Sequence, residues 1–315
     1  MTDELPKTAV LGPLGSHSYQ CAVDTFGSNV QYVEKETITD VLSSVSDEIP
    51  FALIPQENSI HGSVVETYDV LRLPEVGERI FVRGASTLTV RHCLVARRGT
   101  KLEDIQIVLS HEQALGQCRQ FLAEKVPGAA LVKTSSTSAA AQSLLSEDEA
   151  DQPSTSAAIC ASVCTTVFDG LEVLQADIQD QNTNLTRFYV LSSSLTAPPP
   201  FSAPLPSRRY ALVRLGPRPP DPAFPAASRR PINLILSALL TTFGQPVARV
   251  DRRPSLSTVP FEDVYFIELE DTAGPPSPGG HVDTSAADAL WLSRVQAGLE
   301  RVAAAGGDAA LLGMW

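Results

Sequence analysis

Long apolar runs, positive charge and paired cysteines are all scarce in this 315-residue chain. No run of about 18 apolar residues occurs, so no membrane-spanning helix is expected. Lys and Arg number 24 against 36 Asp and Glu, a formal net charge of −12. Nucleic-acid phosphates are held by clustered Lys and Arg, so this balance argues against a nucleic-acid partner. It leaves room for a small anion, which feels local donors more than a distant, screened field. The five cysteines, Cys21, Cys93, Cys118, Cys160 and Cys164, are odd in number and irregular in spacing. No CxxC occurs, so neither a structural zinc site nor a disulfide framework is expected, and the thiols fit a reducing compartment. Also missing are GxGxxG, the P-loop, HExxH and GxSxG, which leaves nicotinamide, nucleotide and zinc chemistry without support. Met1-Thr2-Asp3-Glu4 is acidic and runs into a strand-like segment, unlike a signal or transit peptide. A cytosolic enzyme or binding protein is the expected class.

What is present is ordinary globular material, 43% hydrophobic and 19% charged, enough for two domains or three. Strand patterns at 8–12, 51–55, 80–82, 87–96, 105–109, 131–133, 157–161, 171–178 and 186–191 alternate with helical ones, an α/β layout. An apolar strand, a hydroxyl or amide cluster and a helix follow one another at 12–18, 55–60, 110–114 and 134–138. Free N–H groups at helix N-termini collect anions, so convergence of such turns would suit a carboxylate-bearing ligand. Residues 196–208 form a Pro-rich, semi-rigid linker. Beyond it the order is strand 210–215, helix 232–243, strands 247–251 and 263–270, helix 285–305 and strand 309–315. That β-α-β-β-α-β order is ferredoxin-like and defines a second domain over 209–315, with Pro-rich loops at 217–231 and 272–280. Leu236, Leu239, Leu240 and Phe243 fit the buried face of its first helix.

The most informative stretch is Asn184-Leu185-Thr186-Arg187-Phe188, which opens an aromatic and aliphatic strand with an amide, a hydroxyl and a guanidinium. Side chains alternate along a strand, so Asn184, Thr186 and Phe188 share one face, and Leu185, Arg187 and Tyr189 the other. Glu57, Asn58 and Ser59 follow Pro55 at a strand end, where α/β ligands sit, and Glu57 is a candidate general acid or base. His61 and His111 are the other titratable candidates. Ser110 beside His111 does not make a nucleophile pair, because adjacent residues do not face each other productively. From the residues alone, the chain is a two-domain α/β protein for a small, oxygen-rich anion.

Five segments in order resemble the motifs of the prephenate dehydratase family. Gly12-Pro13-Leu14-Gly15-Ser16-His17-Ser18 resembles GPxGT(F/Y)S, and Ile54-Pro55-Gln56-Glu57-Asn58-Ser59 with Gly62 and Val64 resembles PIENSxxGxV. Ser110 through Cys118 resembles SHPQALxQC, Ser136 through Ala140 resembles STAxA, and Asn184 through Phe188 resembles NxTRF. The resemblance spans nearly the whole chain. It implies two lobes of the periplasmic-binding-protein type II kind, about 1–87 plus 170–195 and 88–169, followed by an ACT regulatory domain. It implies a carbon–oxygen lyase of L-phenylalanine biosynthesis that turns prephenate into phenylpyruvate, water and CO2. It implies Thr186, Glu57, Asn58, Gln117 and Ser110 as catalytic residues. Ser16, Ser59, Ser136, Thr137, Arg187 and Phe188 would stand near the substrate, with Arg187 an ion-pair or supporting residue. No metal or organic cofactor is implied. A homodimer or homotetramer and an L-phenylalanine effector are implied as well. The effector residues would fall at Ile232 and Asn233 and at Asp251, Arg252, Arg253 and Pro254. This chain keeps only the Arg-Pro ending of the family's ESRP motif, and its GAL(V/L) turn is replaced by Arg230-Pro231-Ile232-Asn233. Arogenate dehydration, or a non-catalytic amino-acid or keto-acid sensor on the same lobes, are the alternative readings.

Overall fold

The computed structural model describes residues 4–146, 155–203, 209–218, 232–243, 247–257, 259–271 and 284–315. The chain begins with β1 (Lys7–Leu11), α1 (His17–Phe26), β2 (Gln31–Lys35), α2 (Ile38–Ser43), β3 (Phe51–Asn58), β4 (Gly62–Ser63), α3 (Val65–Val70) and β5 (Phe81–Thr89). It crosses into β6 (Cys93–Arg97), β7 (Ile107–Ser110), α4 (Glu112–Gln117), α5 (Arg119–Lys125), β8 (Ala130–Lys133), α6 (Thr137–Ser143), β9 (Ser156–Cys160), α7 (Cys164–Val167) and β10 (Leu171–Gln175). It returns through β11 (Leu185–Ser192) and ends with β12 (Tyr210–Pro217), α8 (Ile232–Phe243), β13 (Val247–Pro254), β14 (Asp263–Glu270), α9 (Thr284–Ala304) and β15 (Gly307–Met314).

Two mixed sheets result. One runs β10-β6-β9-β7-β8, and the other runs β13-β14-β12-β15-β5-β11-β3-β1-β2. The larger sheet joins the first lobe to the C-terminal β-α-β-β-α-β unit through one parallel bridge, Gly313 to Val82. A Cβ at Gly313 would collide with the Val82 backbone, so only glycine lets β15 approach β5 this closely. One apolar core is shared across the junction. Ile54, Tyr68, Tyr189 and Leu191 of the first lobe pack with Leu212, Phe266 and Leu312 of the C-terminal unit. On the opposite face of the first-lobe strands, Leu53, Leu88, Phe188 and Val190 pack against Cys21, Ala22 and Phe26 of α1. Each buried Leu, Ile, Val or Phe among these contributes about 1.5–3 kcal/mol through area removed from water.

Several expectations shift. Segments 80–82 and 87–96 are not two strands divided at 83–86, because β5 continues through Arg83-Gly84-Ala85-Ser86 with β11 paired along its length. The crossing comes at Val90-Arg91-His92 instead. β10 belongs to the second sheet, antiparallel to β6, so the return crossing follows Gln175 rather than preceding 170. Leu240 is 38% exposed, and Ile235 takes the buried position beside Leu239 on α8. The Phe243 side chain, Arg230, Pro231, residues 204–208 of the linker and most of the two Pro-rich loops lie outside the described residues.

Candidate active site

The cleft side of the first lobe is set by a bulge in β3. Along β11, Arg187 pairs with Glu57 but Phe188 pairs with Pro55, which leaves Gln56 as the extra residue. A proline cannot donate to a ladder and is tolerated at such a bulge. In a regular strand, Ile54, Gln56 and Asn58 would share one face. The extra residue breaks that alternation. Gln56 remains on the Ile54 side, fully buried, and its amide donates to the Tyr68 hydroxyl at 2.8 Å. Glu57 stays on that side too, and Asn58 swings to the other, beside Thr186.

There Asn58 anchors a directional chain of hydrogen bonds. Its Oδ1 accepts from the backbone N–H groups of Ile60 and His61, at 3.0 and 3.1 Å, which fixes its amide orientation. Its Nδ2 therefore donates to Thr186 Oγ1 at 3.0 Å, to Asn184 Oδ1 at 2.7 Å and to the Leu185 carbonyl at 3.1 Å. Asn184, 6% exposed, passes the direction on, with its Nδ2 donating to Gln117 Oε1 at 3.4 Å. The second lone pair of that oxygen faces His92 Nε2 at 2.8 Å. Two consequences follow. The Thr186 oxygen accepts a bond, while its own proton has no acceptor among the described residues. The Gln117 carbonyl is saturated, so its amide N–H groups are left for a ligand. A cavity of about 360 Å³ opens beside this chain, lined in part by His61, Val90, Gln117, Asp180 and Asn184. Neither Thr186 nor Asn58 is in that lining, and Thr186 reaches it through two hydrogen bonds, by way of Asn58 to Asn184. A larger cavity of about 890 Å³ lies elsewhere, between residues 195–203 and α9.

The other expected residues sit as follows. Glu57 is turned away from the cleft, paired with Arg187 at 3.3 Å and with Arg249 of β13. The bulge is the physical reason, and it places Arg187 with Glu57 rather than with a ligand. Phe188 is 1% exposed and belongs to the core against α1, not to a binding surface. Ser110 is fully buried between β8 and β9, and its hydroxyl donates to the Ile159 carbonyl at 2.6 Å. Ser16 and Ser136 are N-caps of α1 and α6, accepting from Tyr19 N and Ala139 N at 3.2 and 3.0 Å. Thr137 is the first residue of α6. Ser59 clips the two strands together, donating to the Thr183 carbonyl and accepting from Leu185 N, both at 2.9 Å. The loop before α1 reaches the second lobe. Ser138 donates to the Leu14 carbonyl, and Cys164 Sγ to that of Gly15 at 3.1 Å. Gly15, at φ +85°, leaves no room for a Cβ against Ser138 and Cys164.

Sequence reasoning passed over three participants. Asn184 was visible at the strand start, but its bridging role depends on Asn58 across the sheet. His92 lies in the crossing segment and meets Gln117 only after folding. Arg249 comes from the C-terminal unit, where it also pairs with Asp251. Among the described residues, no cluster of three or more His, Cys, Asp or Glu side chains could hold a metal ion. No helix among them is long and apolar enough to cross a membrane.

An α/β fold of two mixed sheets, with a cavity lined mainly by amide side chains beside an Asn–Thr hydrogen-bond chain, defines the class of protein. Residues 8–195 match the family model described as prephenate dehydratase, and the chain belongs to that family. It is 29% identical over 269 residues to the bifunctional chorismate mutase/prephenate dehydratase of Neisseria gonorrhoeae, covering 85% of this chain and 67% of that protein. It is 33% identical over 187 residues to arogenate dehydratase 2 of Petunia hybrida, covering 59% of this chain and 44% of that protein. A crystal structure of prephenate dehydratase from Arthrobacter aurescens, in complex with L-Phe, superposes with a TM-score of 0.69 at 26% identity. It covers 98% of this chain and 89% of its own. The chain thus spans 44% to 67% of the length of these two curated relatives.

Proposed function

We propose that the chain is a prephenate dehydratase, converting prephenate into phenylpyruvate, water and CO2. The observation that carries this reading is the Thr186 hydroxyl, which accepts from Asn58 at 3.0 Å and keeps its proton for a ligand. The ring C–CO2 bond breaks and its electron pair becomes part of the aromatic ring, while the ring hydroxyl leaves with one added proton as water. The gain in aromaticity drives the step, so the protein has to assist hydroxide departure and hold the carboxylate in line. A threonine hydroxyl is a very weak acid. Thr186 therefore stabilises the departing oxygen or relays a proton, and a bond accepted from Asn58 strengthens it as a donor. General-acid assistance of this kind is worth about 10²–10⁴-fold. The free N–H groups of Gln117 suit a carboxylate of the substrate.

Residues 1–195 would form the catalytic domain, 196–208 the linker and 209–315 an ACT-like regulatory domain. The complex of the Arthrobacter relative supports L-phenylalanine as an effector here. Yet the residues at the ESRP position are engaged within the chain. Arg253 clasps Asp69 at 2.8 and 3.1 Å, the Pro254 carbonyl accepts from Arg72 at 2.7 Å, and Asp251 accepts from Ser63 at 3.1 Å. Arg252 pairs with Asp263 at 2.8 Å, while Ile232 and Asn233 open α8. A homodimer or homotetramer in the cytoplasm completes the reading. Arogenate, which carries an amino group in place of the keto group, is the second substrate to test, given the Petunia relative. Purified protein should release phenylpyruvate from prephenate, and phenylalanine from arogenate if that reading holds. Absence of turnover on both would sink the enzyme reading in favour of a sensor.

A further inference from the structure

We infer that His92 is a positioning residue for the cleft, whose Nε2–H fixes the Gln117 carbonyl so that the Gln117 amide N–H groups face the ligand. This deepens the reading above and rests on it for the part that concerns turnover. Donor and acceptor counts fix the direction of the chain. Asn58 is oriented by two backbone N–H groups, so the direction of every later bond is set. Asn184 must present its oxygen to Asn58 and its NH2 to Gln117. Gln117 must then turn its oxygen toward His92, 2.8 Å away. An oxygen accepts only, so the facing nitrogen of His92 must carry a proton.

The surroundings hold that ring neutral and in one tautomer. His92 is 3% exposed, its backbone N–H is bonded to Gln179 Oε1 at 2.9 Å, and its Nδ1 has no partner among the described residues. A second proton at Nδ1 would be a buried, unpaired charge, which is costly. His17 stands edge-on to the ring at a centroid distance of 5.2 Å. Burial lowers the His92 pKa, against the opposing bond to Gln117. An imidazole locked in this way acts as a fixed donor at the far end of the chain from Thr186. A flipped Gln117 would set its oxygen against a substrate carboxylate, replacing an attraction by a repulsion.

The test uses the full chain, labelled with 15N-histidine, in which only five histidines need assignment. His92 should show the neutral Nε2–H pattern at pH 7. A neutral Nδ1–H pattern, or a charged ring, overturns the proposal whether or not the protein turns over any substrate. In kinetics with whichever of prephenate or arogenate is consumed, His92→Leu should raise KM more than it lowers kcat. The combined loss in kcat/KM should be roughly ten- to a hundred-fold. His92→Gln, which returns an N–H near the Nε2 position, should recover most of it. In a Gln117→Leu background, His92→Leu should add less than about twofold, because the two act as one unit. Additive losses would overturn the proposal. A folded wild type that consumes neither substrate would refute the enzyme reading while leaving the tautomer measurement decisive for His92.

Discussion

The two faces of the β3–β11 pair are built from opposite chemistries. On the cleft face, Asn58, Thr186 and Asn184 make a chain of neutral hydrogen bonds. On the other face, one residue away in each strand, Glu57 and Arg187 meet Arg249, and Tyr189 donates to the buried Glu268 at 3.1 Å. Glu268 has its pKa raised by burial, with Arg187 opposing. Neutral donors would suit a cleft that, in the proposed reaction, releases an anionic product, because full charges would hold it. Charge pairs suit a junction between two units, because they fix orientation in an apolar setting. A strand edge thus separates binding from docking within a few ångströms.

The comparison breaks most sharply at Thr186. Thr186→Ala should lower kcat by about 10²–10⁴-fold with little change in melting temperature, and Thr186→Ser should keep substantial activity. Near-wild-type turnover by the alanine variant would remove the cleft face from the chemistry. Phe188 shares the Thr186 face but lies in the core, so Phe188→Ala should cost about 3–5 kcal/mol in denaturant unfolding. A cost below 1 kcal/mol would mean that this face is binding surface throughout.

Glu57→Gln sharpens the contrast from the docking side. It should cost about 1–2 kcal/mol of stability and change kcat by less than about tenfold, since a partly exposed ion network loses one member. A hundred-fold loss in kcat without destabilisation would return Glu57 to the chemistry. The smallest effect concerns His17, whose pKa falls from 6.5 to about 4 through burial, with the neighbouring His92 adding to it. A lowered folded-state pKa means that stability is full above pH 6.5 and is lost as pH falls toward about 4. That loss, on the order of 1–3 kcal/mol, should be flattened in His17→Phe. An unchanged pH profile in the variant would show that His17 titrates freely.

Much of the fold was legible because its signals are local. The β-α-β-β-α-β order of the C-terminal unit follows from periodicity and Pro-rich breaks, and Ser16 and Ser136 cap helices as hydroxyls before helical runs do. Two of the four turn clusters behave differently. His111 rather than Ser110 caps α4, accepting from Gln113 N at 3.3 Å. The cluster after Pro55 forms a hairpin turn around Asn58 instead of a helix cap. The middle of β5 was not legible, since Arg83-Gly84-Ala85-Ser86 has weak strand propensity and is held extended by the paired β11. Nor was Ser110's inward turn, which comes from β7 lying between β8 and β9.

Local patterns were enough to reveal which residue types could meet an oxygen-rich anion, and the segments that carry them, because caps, periodicity and turn chemistry act over a few residues. Tertiary structure alone decided which face each one takes. One extra residue in β3 sends Asn58 to the cleft and Glu57 to Arg249, and bonds across the sheet orient Asn184, Gln117 and His92. Register and long-range hydrogen bonds depend on partners distant in the chain, so no local pattern encodes them.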